Sequence, residues 1–317
     1  MKAVAKIIVY LLGVVLLGTL LTPLVFWTLR ALEPWALSAG LMNWDPHESD
    51  VLVRGPLAFL TTDLQRCFNR ALLLAAVLLY FPMAWALGIS GLRGLRLHSD
   101  PRSWQHLWRG LALGALSLGI FGIGCLLANL YRPHAHLALE QLPKLILTAI
   151  CVGIAEEFIF RGALFGLCLK AMRPHFALFW TTLLFAIFHF LQPPDKVQIS
   201  HVTWLSGFLL LPHVFHQFTD PTRLLIDFAP LFVLGWLLGY ARMRTQALWL
   251  STGLHIGIVL AISIHGAFTV ALKPLAPWIG TNLGSGIMPM AVLLIALGLT
   301  WWRLEHEELL PDPKARD

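Results

Sequence analysis

Three ionisable side chains lie close together in an otherwise apolar stretch, and their spacing suggests acid–base chemistry. The stretch AEEFIFRG contains Glu156, Glu157 and Arg161. On a helix, Glu157 and Arg161 share one face, four residues apart, in the order that favours an ion pair. Glu156 lies about 100° around the helix from Glu157. We therefore predict one carboxylate held by Arg161, beside a second carboxylate outside that pair which could serve as a general base.

Two histidines on later apolar stretches could join these carboxylates. His189 lies in LLFAIFHF, one turn after Phe185, and His255 lies in LWLSTGLHIGIVL. At a rise of 1.5 Å per residue, Glu156, His189 and His255 lie roughly 20, 22 and 14 Å from the inner ends of their helices. One carboxylate and two imidazoles can thus share one layer, as a catalytic or metal site. The structural alternative is a buried ion-pair network with two core histidines.

The composition excludes a soluble domain. Of the 317 residues, 57% are hydrophobic and only 13% are charged, and the mean hydropathy is +0.72. Soluble domains carry about 25% charged residues. The net charge is +6, but the basic residues form no stripe interleaved with aromatic residues. We therefore expect no nucleic-acid partner. We expect the four cysteines to be small buried residues rather than a disulfide framework or a zinc cluster; they are Cys67, Cys125, Cys151 and Cys168.

Apolar segments long enough for membrane helices recur along the chain. A membrane-spanning helix needs about 20 mostly apolar residues. We predict an all-α, polytopic membrane helix bundle with about eight transmembrane helices, at 4–29, 71–90, 108–131, 143–169, 174–191, 226–241, 246–270 and 286–302. The first segment is too long for a signal peptide, so we interpret it as a retained span. We divide the chain into N-terminal spans with a long outer loop (1–142), a core (143–270), and a last span with its tail (271–317).

The distribution of basic residues predicts the orientation. Cytoplasmic loops carry an excess of Lys and Arg. With both termini cytoplasmic, the inner segments hold Lys2, Lys6, Arg93, Arg96, Arg102, Arg109, Lys170, Arg173, Arg242, Arg244, Arg303, Lys314 and Arg316. The outer segments hold fewer: Arg30, Arg54, Arg66, Arg70, Arg132, Lys144, Lys196, Arg223 and Lys273. We therefore expect an integral membrane protein in contact with the lipid bilayer, with both termini in the cytoplasm.

Some polar segments admit two interpretations. Residues 200–218 are apolar but short and contain Pro212, so a re-entrant or interfacial helix is favoured over a ninth span. Two pairs of histidines have spacings compatible with metal binding, although solvated histidines explain them more simply: His134 with His136, and His213 with His216. The long outer loop 30–70 could be a lid, a substrate-docking element or a solvated amphipathic stretch.

The ordered set of ionisable residues resembles a known family. Glu156-Glu157-x-x-x-Arg161, Phe185-x-x-x-His189 and the later His255 are similar to the three motifs of the CPBP family. That family comprises CAAX-type intramembrane endopeptidases, including the Ras-converting enzymes, and bacterial Abi proteins linked to bacteriocin processing and immunity. The resemblance covers residues 143–262. It implies an eight-helix bundle with a water-filled cavity, a membrane-anchored protein or peptide substrate, and a place in a bacterial inner membrane.

The resemblance also implies roles for the site residues. Glu156 would be the general base that activates water, and His189 would share that role. His255 would stabilise the oxyanion, and Glu157 with Arg161 would orient the site. Two mechanisms stay open. The enzyme could be a metal-independent glutamate protease, or a zinc protease in which Glu156, His189 and His255 bind the metal.

One position departs from the family pattern and leaves other functions open. The third motif usually places Asn one turn after the histidine, and here that position is Val259. Thr252, about one turn before His255, could compensate. Val259 motivates a second hypothesis, a non-catalytic scaffold or immunity protein of the same fold. A transporter or proton relay is a third hypothesis, which the lack of an internal repeat disfavours.

Overall fold

The computed structural model describes most of the chain. The described residues are 2–40, 43–45, 52–54, 63–89, 95–96, 102–134, 139–194, 197, 199, 201–280 and 282–306. In chain order the elements are α1 (Lys2–Ser38), β1 (Asn43–Asp45), β2 (Leu52–Arg54), α2 (Leu64–Ala86), α3 (Ser103–Leu127), β3 (Tyr131–Pro133), α4 (Leu142–Glu157), a π-helical turn (Phe158–Leu164), α5 (Phe165–Ala171), α6 (Pro174–Phe190), α7 (Ser206–Leu210), α8 (Pro221–Thr245), α9 (Trp249–Phe268), β4 (Thr269–Ala271) and α10 (Ile287–His306). Two antiparallel strand pairs, β1 with β2 and β3 with β4, accompany the helices.

The helices confirm a polytopic membrane bundle. Six of them, α1, α2, α3, α8, α9 and α10, are long and apolar enough to cross a membrane, and the 17-residue α6 is a shorter apolar helix. The remaining predicted span, 143–169, coincides with α4, the π-helical turn and α5, which follow one another without a break. The backbone stays in the right-handed helical region at both junctions, Glu157 and Phe165. The chain is therefore an integral membrane protein.

The first helix is longer than predicted. We expected a span over 4–29 followed by a connector at Glu33-Pro34, but α1 continues through Pro23 and Pro34 to Ser38. Arg30 donates a hydrogen bond to Glu33 at 3.1 Å across this last part. A proline removes one backbone hydrogen bond and kinks a helix, and neither proline ends this one. The predicted connector is thus a helical extension.

One compact unit comprises Met1–Gly91, Ala138–Thr148 and Ile187–Leu224. Within it α1 packs along α2, and the hydroxyl of Tyr10 donates a hydrogen bond to the carbonyl oxygen of Ala76 at 2.9 Å. The segment predicted as a re-entrant or interfacial helix contains α7 and two 3₁₀ turns, Leu211–His213 and His216–Thr219, which are too short to span a membrane. Its Leu210 and Val214 are buried with two side chains of α2, Leu64 and Phe68.

The second unit comprises Leu92–Leu137, Ala149–Ala186 and Leu225–Asp317. Its central contact is between α3 and α9, and glycines on both helices make that contact close. Added Cβ atoms at Gly110 and Gly114 would strike the α9 backbone at Leu250 and Leu254, and added Cβ atoms at Gly253 and Gly257 would strike the α3 backbone. Glycines four residues apart allow membrane helices to approach in this way.

The cysteines agree with the predicted role except at one position. All four are free, and Cys67, Cys125 and Cys168 are buried as expected. Cys151 is exposed on α4, which corrects the expectation that it is buried. The apolar residues around Cys151 in the sequence do not indicate whether its side chain is buried, since a helix face directed towards lipid is as apolar as the core of the bundle.

Candidate active site

The predicted ion pair between Glu157 and Arg161 is present and fully buried. Nη1 of Arg161 donates a hydrogen bond to Oε1 of Glu157 at 2.8 Å. Glu157 is 0% exposed and Arg161 is 3% exposed. Glu157 ends α4, and Arg161 lies in the π-helical turn that follows. Such turns are rare and occur often at functional sites.

Two further contacts hold the Arg161 guanidinium in place. Nη2 donates a hydrogen bond to the backbone carbonyl of Gly235 on α8 at 3.1 Å. The guanidinium carbon lies 4.1 Å from the ring centroid of Phe185, a residue of the FxxxH motif on α6. Phe185 is itself 0% exposed. Arg161 therefore joins three helical segments through an ion pair, a carbonyl and an aromatic face.

A close helix contact explains why residue 235 is a glycine. An added Cβ at Gly235 would lie 3.1 Å from both Cδ1 of Phe185 and Cγ2 of Thr182. A side chain would thus push α8 away from α6 and lengthen the hydrogen bond to Arg161. No sequence pattern indicates this backbone acceptor, because any residue supplies a carbonyl.

His255 lies between the two carboxylates. Its Nδ1 is 3.0 Å from Oε1 of Glu157, and its Nε2 is 3.7 Å from Oε2 of Glu156. His255 is 2% exposed, and its ring meets the Phe185 ring edge to face, with centroids 6.0 Å apart. The prediction that a histidine of α9 shares a layer with the α4 carboxylates is confirmed for His255.

The packing of α9 fixes the position of His255. Gly253 and Gly257, two residues before and after it, are the positions at which α9 touches the α3 backbone. On another side of α9, an added Cβ at Gly153 of α4 would lie 2.6 Å from Cγ1 of Ile256. Because Gly153 is one turn before Glu157, this contact brings the end of α4 to His255.

The hydrogen-bonding capacities of these groups define the site's chemistry. The Glu157 carboxylate beside Arg161 is an acceptor only, so the 3.0 Å contact requires His255 to donate from Nδ1. Nε2 then faces Glu156, as a base when the imidazole is neutral and as a donor when it is charged. A carboxylate that orients an imidazole through Nδ1 is a recurrent device of hydrolases.

The two glutamates differ in accessibility. The Glu157 side chain is 0% exposed, whereas the Glu156 side chain is 19% exposed. The distance of 3.7 Å from Glu156 to Nε2 of His255 is too long for a hydrogen bond. Glu156 is therefore the more accessible carboxylate, although its Oε2 atom, which faces His255, is itself buried, and Glu157 is the fully buried one.

The remaining predicted residues are His189, Val259 and Thr252. His189 is near the end of α6, in the other compact unit, and its carbonyl accepts a hydrogen bond from Gln192 at 3.2 Å. Val259 is half-buried on α9, one turn after His255, and Thr252 is also half-buried on α9. The catalytic roles of these residues, and of Glu156, Glu157, Arg161 and His255, stay predictions.

The fit of a metal ion can be judged from the described side chains. Among them there is no group of three or more His, Cys, Asp and Glu residues arranged to hold a metal. Since Nδ1 of His255 contacts Glu157, only its Nε2 faces Glu156. The described residues therefore do not form the three-ligand zinc site of the second open mechanism, and no step of the reaction is assigned to a metal.

The weaker histidine pairs are exposed where the structure describes them. His213 and His216 are exposed, and Nδ1 of His216 is 3.2 Å from the carbonyl oxygen of His213. His134 is exposed, and His136 lies outside the described residues. The exposure of three of these histidines agrees with solvated side chains.

Comparison with known proteins finds a family match in the central part of the chain. Residues 138–261 match the family described as Type II CAAX prenyl endopeptidase Rce1-like. No curated protein and no solved structure matches the chain. The matched range contains Glu156, Glu157, Arg161, Phe185 and His255. Residues 138–261 therefore resemble the Rce1-like type II CAAX prenyl endopeptidases, a family whose members are intramembrane proteases.

Proposed function

We propose that this protein is an intramembrane endopeptidase that hydrolyses a peptide bond of a membrane-associated protein or peptide, with a catalytic core over 143–270. The observation that carries the proposal is the position of His255, with one ring nitrogen on buried Glu157 and the other towards the more accessible Glu156. Because the members of the matching family are proteases, we expect the substrate to be a protein or peptide. The experiment below identifies its sequence.

In the proposed mechanism, Glu156 is the general base. Its side chain is the more exposed of the two glutamates, at 19% against 0% for Glu157, which suits a base that acts on water. Glu156 takes a proton from water while the water oxygen forms a bond to the peptide carbonyl carbon. The proton then passes to the amide nitrogen as the carbon–nitrogen bond breaks. The products are a new carboxylate and a new amine.

His255 stabilises the intermediate in this mechanism. With Nδ1–H donated to Glu157, protonation of Nε2 turns that atom into a donor for the oxyanion. Glu157 accepts from Nδ1 and so holds the ring with Nε2 towards Glu156, and Arg161 orients Glu157 through its own hydrogen bond. We assign His189 a share in the base role on the strength of the motif resemblance alone.

Val259 favours a second candidate, a non-catalytic scaffold or immunity protein of the same fold. The family pattern places Asn at this position, and loss of an oxyanion donor lowers rates by about 10²–10³ in other hydrolases. A scaffold would retain its phenotype when Glu156 is neutralised, whereas a protease would not.

The test compares peptide termini in membranes of cells that express wild type or Glu156→Gln. Glutamine retains the shape of the side chain and removes the base. A matched control is Glu305→Gln, which removes a carboxylate from the partly exposed Arg244–Glu305 pair. When the three proteins are present at equal abundance, we expect new peptide termini with wild type and with Glu305→Gln, but not with Glu156→Gln. Identical profiles for all three would contradict the proposal.

A further inference from the structure

A second buried arginine has two nitrogen atoms without an acceptor in the part of the chain that the structure describes. Arg242 lies three residues before the end of α8 and is 2% exposed. Its Nε and Nη1 atoms are both buried and have no hydrogen-bond partner among the described residues. Buried charges are normally paired and hydrogen-bonded, since an unpaired buried charge is strongly unfavourable. Arg242 therefore differs from Arg161, whose guanidinium has both a carboxylate and a carbonyl acceptor.

The surroundings of Arg242 compensate for its charge only in part. Its guanidinium carbon lies 5.6 Å from the ring centroid of Phe165, the first residue of α5. The C-terminal end of a helix also favours a cation. Neither effect gives the N–H groups of Nε and Nη1 an acceptor. The side chain thus retains donors for which the described residues supply no anion.

A second arginine, Arg96, follows a residue that contacts the same helical segment. An added Cβ at Gly162, three residues before Phe165, would lie 3.5 Å from the carbonyl oxygen of Leu95. Arg96 belongs to the same compact unit as Arg242, and the two positive charges repel each other. The φ angle of Arg96 is 55°, in the left-handed region, which is uncommon for a long side chain and concentrates at binding and functional sites. Two like charges and a strained backbone at one place are unfavourable by themselves. An anion between the guanidinium groups would remove the repulsion.

We propose that Arg242 and Arg96 form a binding site for a phosphate anion, and that an anionic phospholipid headgroup supplies this phosphate. Arginine forks bind phosphate oxygens in pairs, and a tetrahedral phosphate has enough acceptors to bridge two guanidinium groups. Arg242 lies about 4.5 Å from the end of its membrane helix, near the depth at which headgroups lie. Basic sites between helix ends are known to bind anionic headgroups. This site does not depend on the proposed protease function.

The test measures lipid binding by the full chain, purified in detergent without added lipid. Thermal unfolding and native mass spectrometry would be recorded with phosphatidylglycerol, with phosphatidylcholine, and with inorganic phosphate at constant ionic strength. The variants are Arg242→Gln and Arg96→Gln. The control is Arg244→Gln, which removes a charge two residues away that is paired with Glu305 at 2.9 Å.

We expect phosphatidylglycerol to bind and stabilise the wild type and Arg244→Gln more than phosphatidylcholine does. Arg242→Gln and Arg96→Gln should each bind it about 10- to 100-fold more weakly, as expected for loss of charge-assisted hydrogen bonds. If inorganic phosphate stabilises the wild type equally, the site accepts free phosphate, and the lipid part of the proposal is wrong. Equal responses of all variants, or no response of the wild type to either ligand, would overturn the site itself. Because Arg96 is only half-buried, Arg96→Gln keeps the test valid if Arg242→Gln fails to fold.

Discussion

Nδ1 of His255 lies 3.0 Å from Oε1 of Glu157, although the two residues are 98 positions apart in the chain. Oε1 of the same glutamate is 2.8 Å from Nη1 of Arg161. One buried oxygen thus accepts from a histidine and an arginine. This shared acceptor fixes which nitrogen of His255 faces Glu156, and the proposed mechanism depends on that orientation.

Separate roles for the two ring nitrogens lead to a prediction for His255→Asn. An asparagine amide can donate from about the position of Nδ1, but it has no atom at the position of Nε2. We expect nearly unchanged thermal stability with a loss of peptide cleavage of about 10²–10⁴-fold. His255→Leu, which removes both nitrogens, should lose stability as well. Wild-type cleavage by His255→Asn would show that Nε2 has no part in the reaction.

The ion pair predicts a large stability effect for Arg161→Ala. Removing one partner leaves the Glu157 carboxylate buried and uncompensated, which typically costs about 3–5 kcal/mol. The matched control is Arg30→Ala in the more exposed Arg30–Glu33 pair, where we expect about 1 kcal/mol or less. The free energy of unfolding in detergent tests this difference. The double variant Arg161→Met/Glu157→Gln should recover part of the loss, and an additive loss would contradict the account of the pair.

The contact between α3 and α9 predicts different effects for two glycines of the same helix. A Cβ at Gly114 would strike the α9 backbone at Leu254, whereas a Cβ at Gly119 has no atom within 4 Å. We expect Gly114→Ala to lower stability by about 1–3 kcal/mol and to lower cleavage, because α9 carries His255. Gly119→Ala should leave both unchanged. Equal stabilities of the two variants would show that the helix contact is not tight.

Val259→Asn tests whether the protein lacks an oxyanion donor. The residue is one turn after His255 on α9 and half-buried. If the site hydrolyses peptides without that donor, adding an amide should raise kcat, by as much as about 10²–10³-fold when its geometry is favourable. Val259→Leu is the control for side-chain size. An unchanged or lower kcat in a folded Val259→Asn protein would mean that this position does not face the oxyanion.

The sequence was sufficient for the parts of the site that depend on helical spacing. Glu157 and Arg161 are four residues apart, and this separation pairs them even though the backbone changes to a π-helical turn after Glu157. The depth of His255 on an apolar helix also placed it in the layer of the carboxylates. Spacing did not show that His255 lies nearer to Glu157 than to Glu156, because that depends on the rotation of α9.

Other parts of the site could not be predicted because they arise between distant segments. The carbonyl of Gly235 and the ring face of Phe185 hold Arg161, and neither contact leaves a local pattern. The glycine pairs Gly110–Gly114 and Gly253–Gly257 do leave one, four residues apart on two apolar segments. A search for that small-residue spacing would have predicted which helices meet.

The central claim is tested most directly by hydrolysis in isotopically labelled water. Wild-type protein and Glu156→Gln would be reconstituted in liposomes with the substrate found from the new termini, in water enriched in ¹⁸O. The account predicts one ¹⁸O atom in each new carboxyl terminus formed by wild type, and a rate about 10²–10⁴-fold lower for Glu156→Gln. Equal rates for the two proteins would contradict the role of Glu156 as the base that activates water.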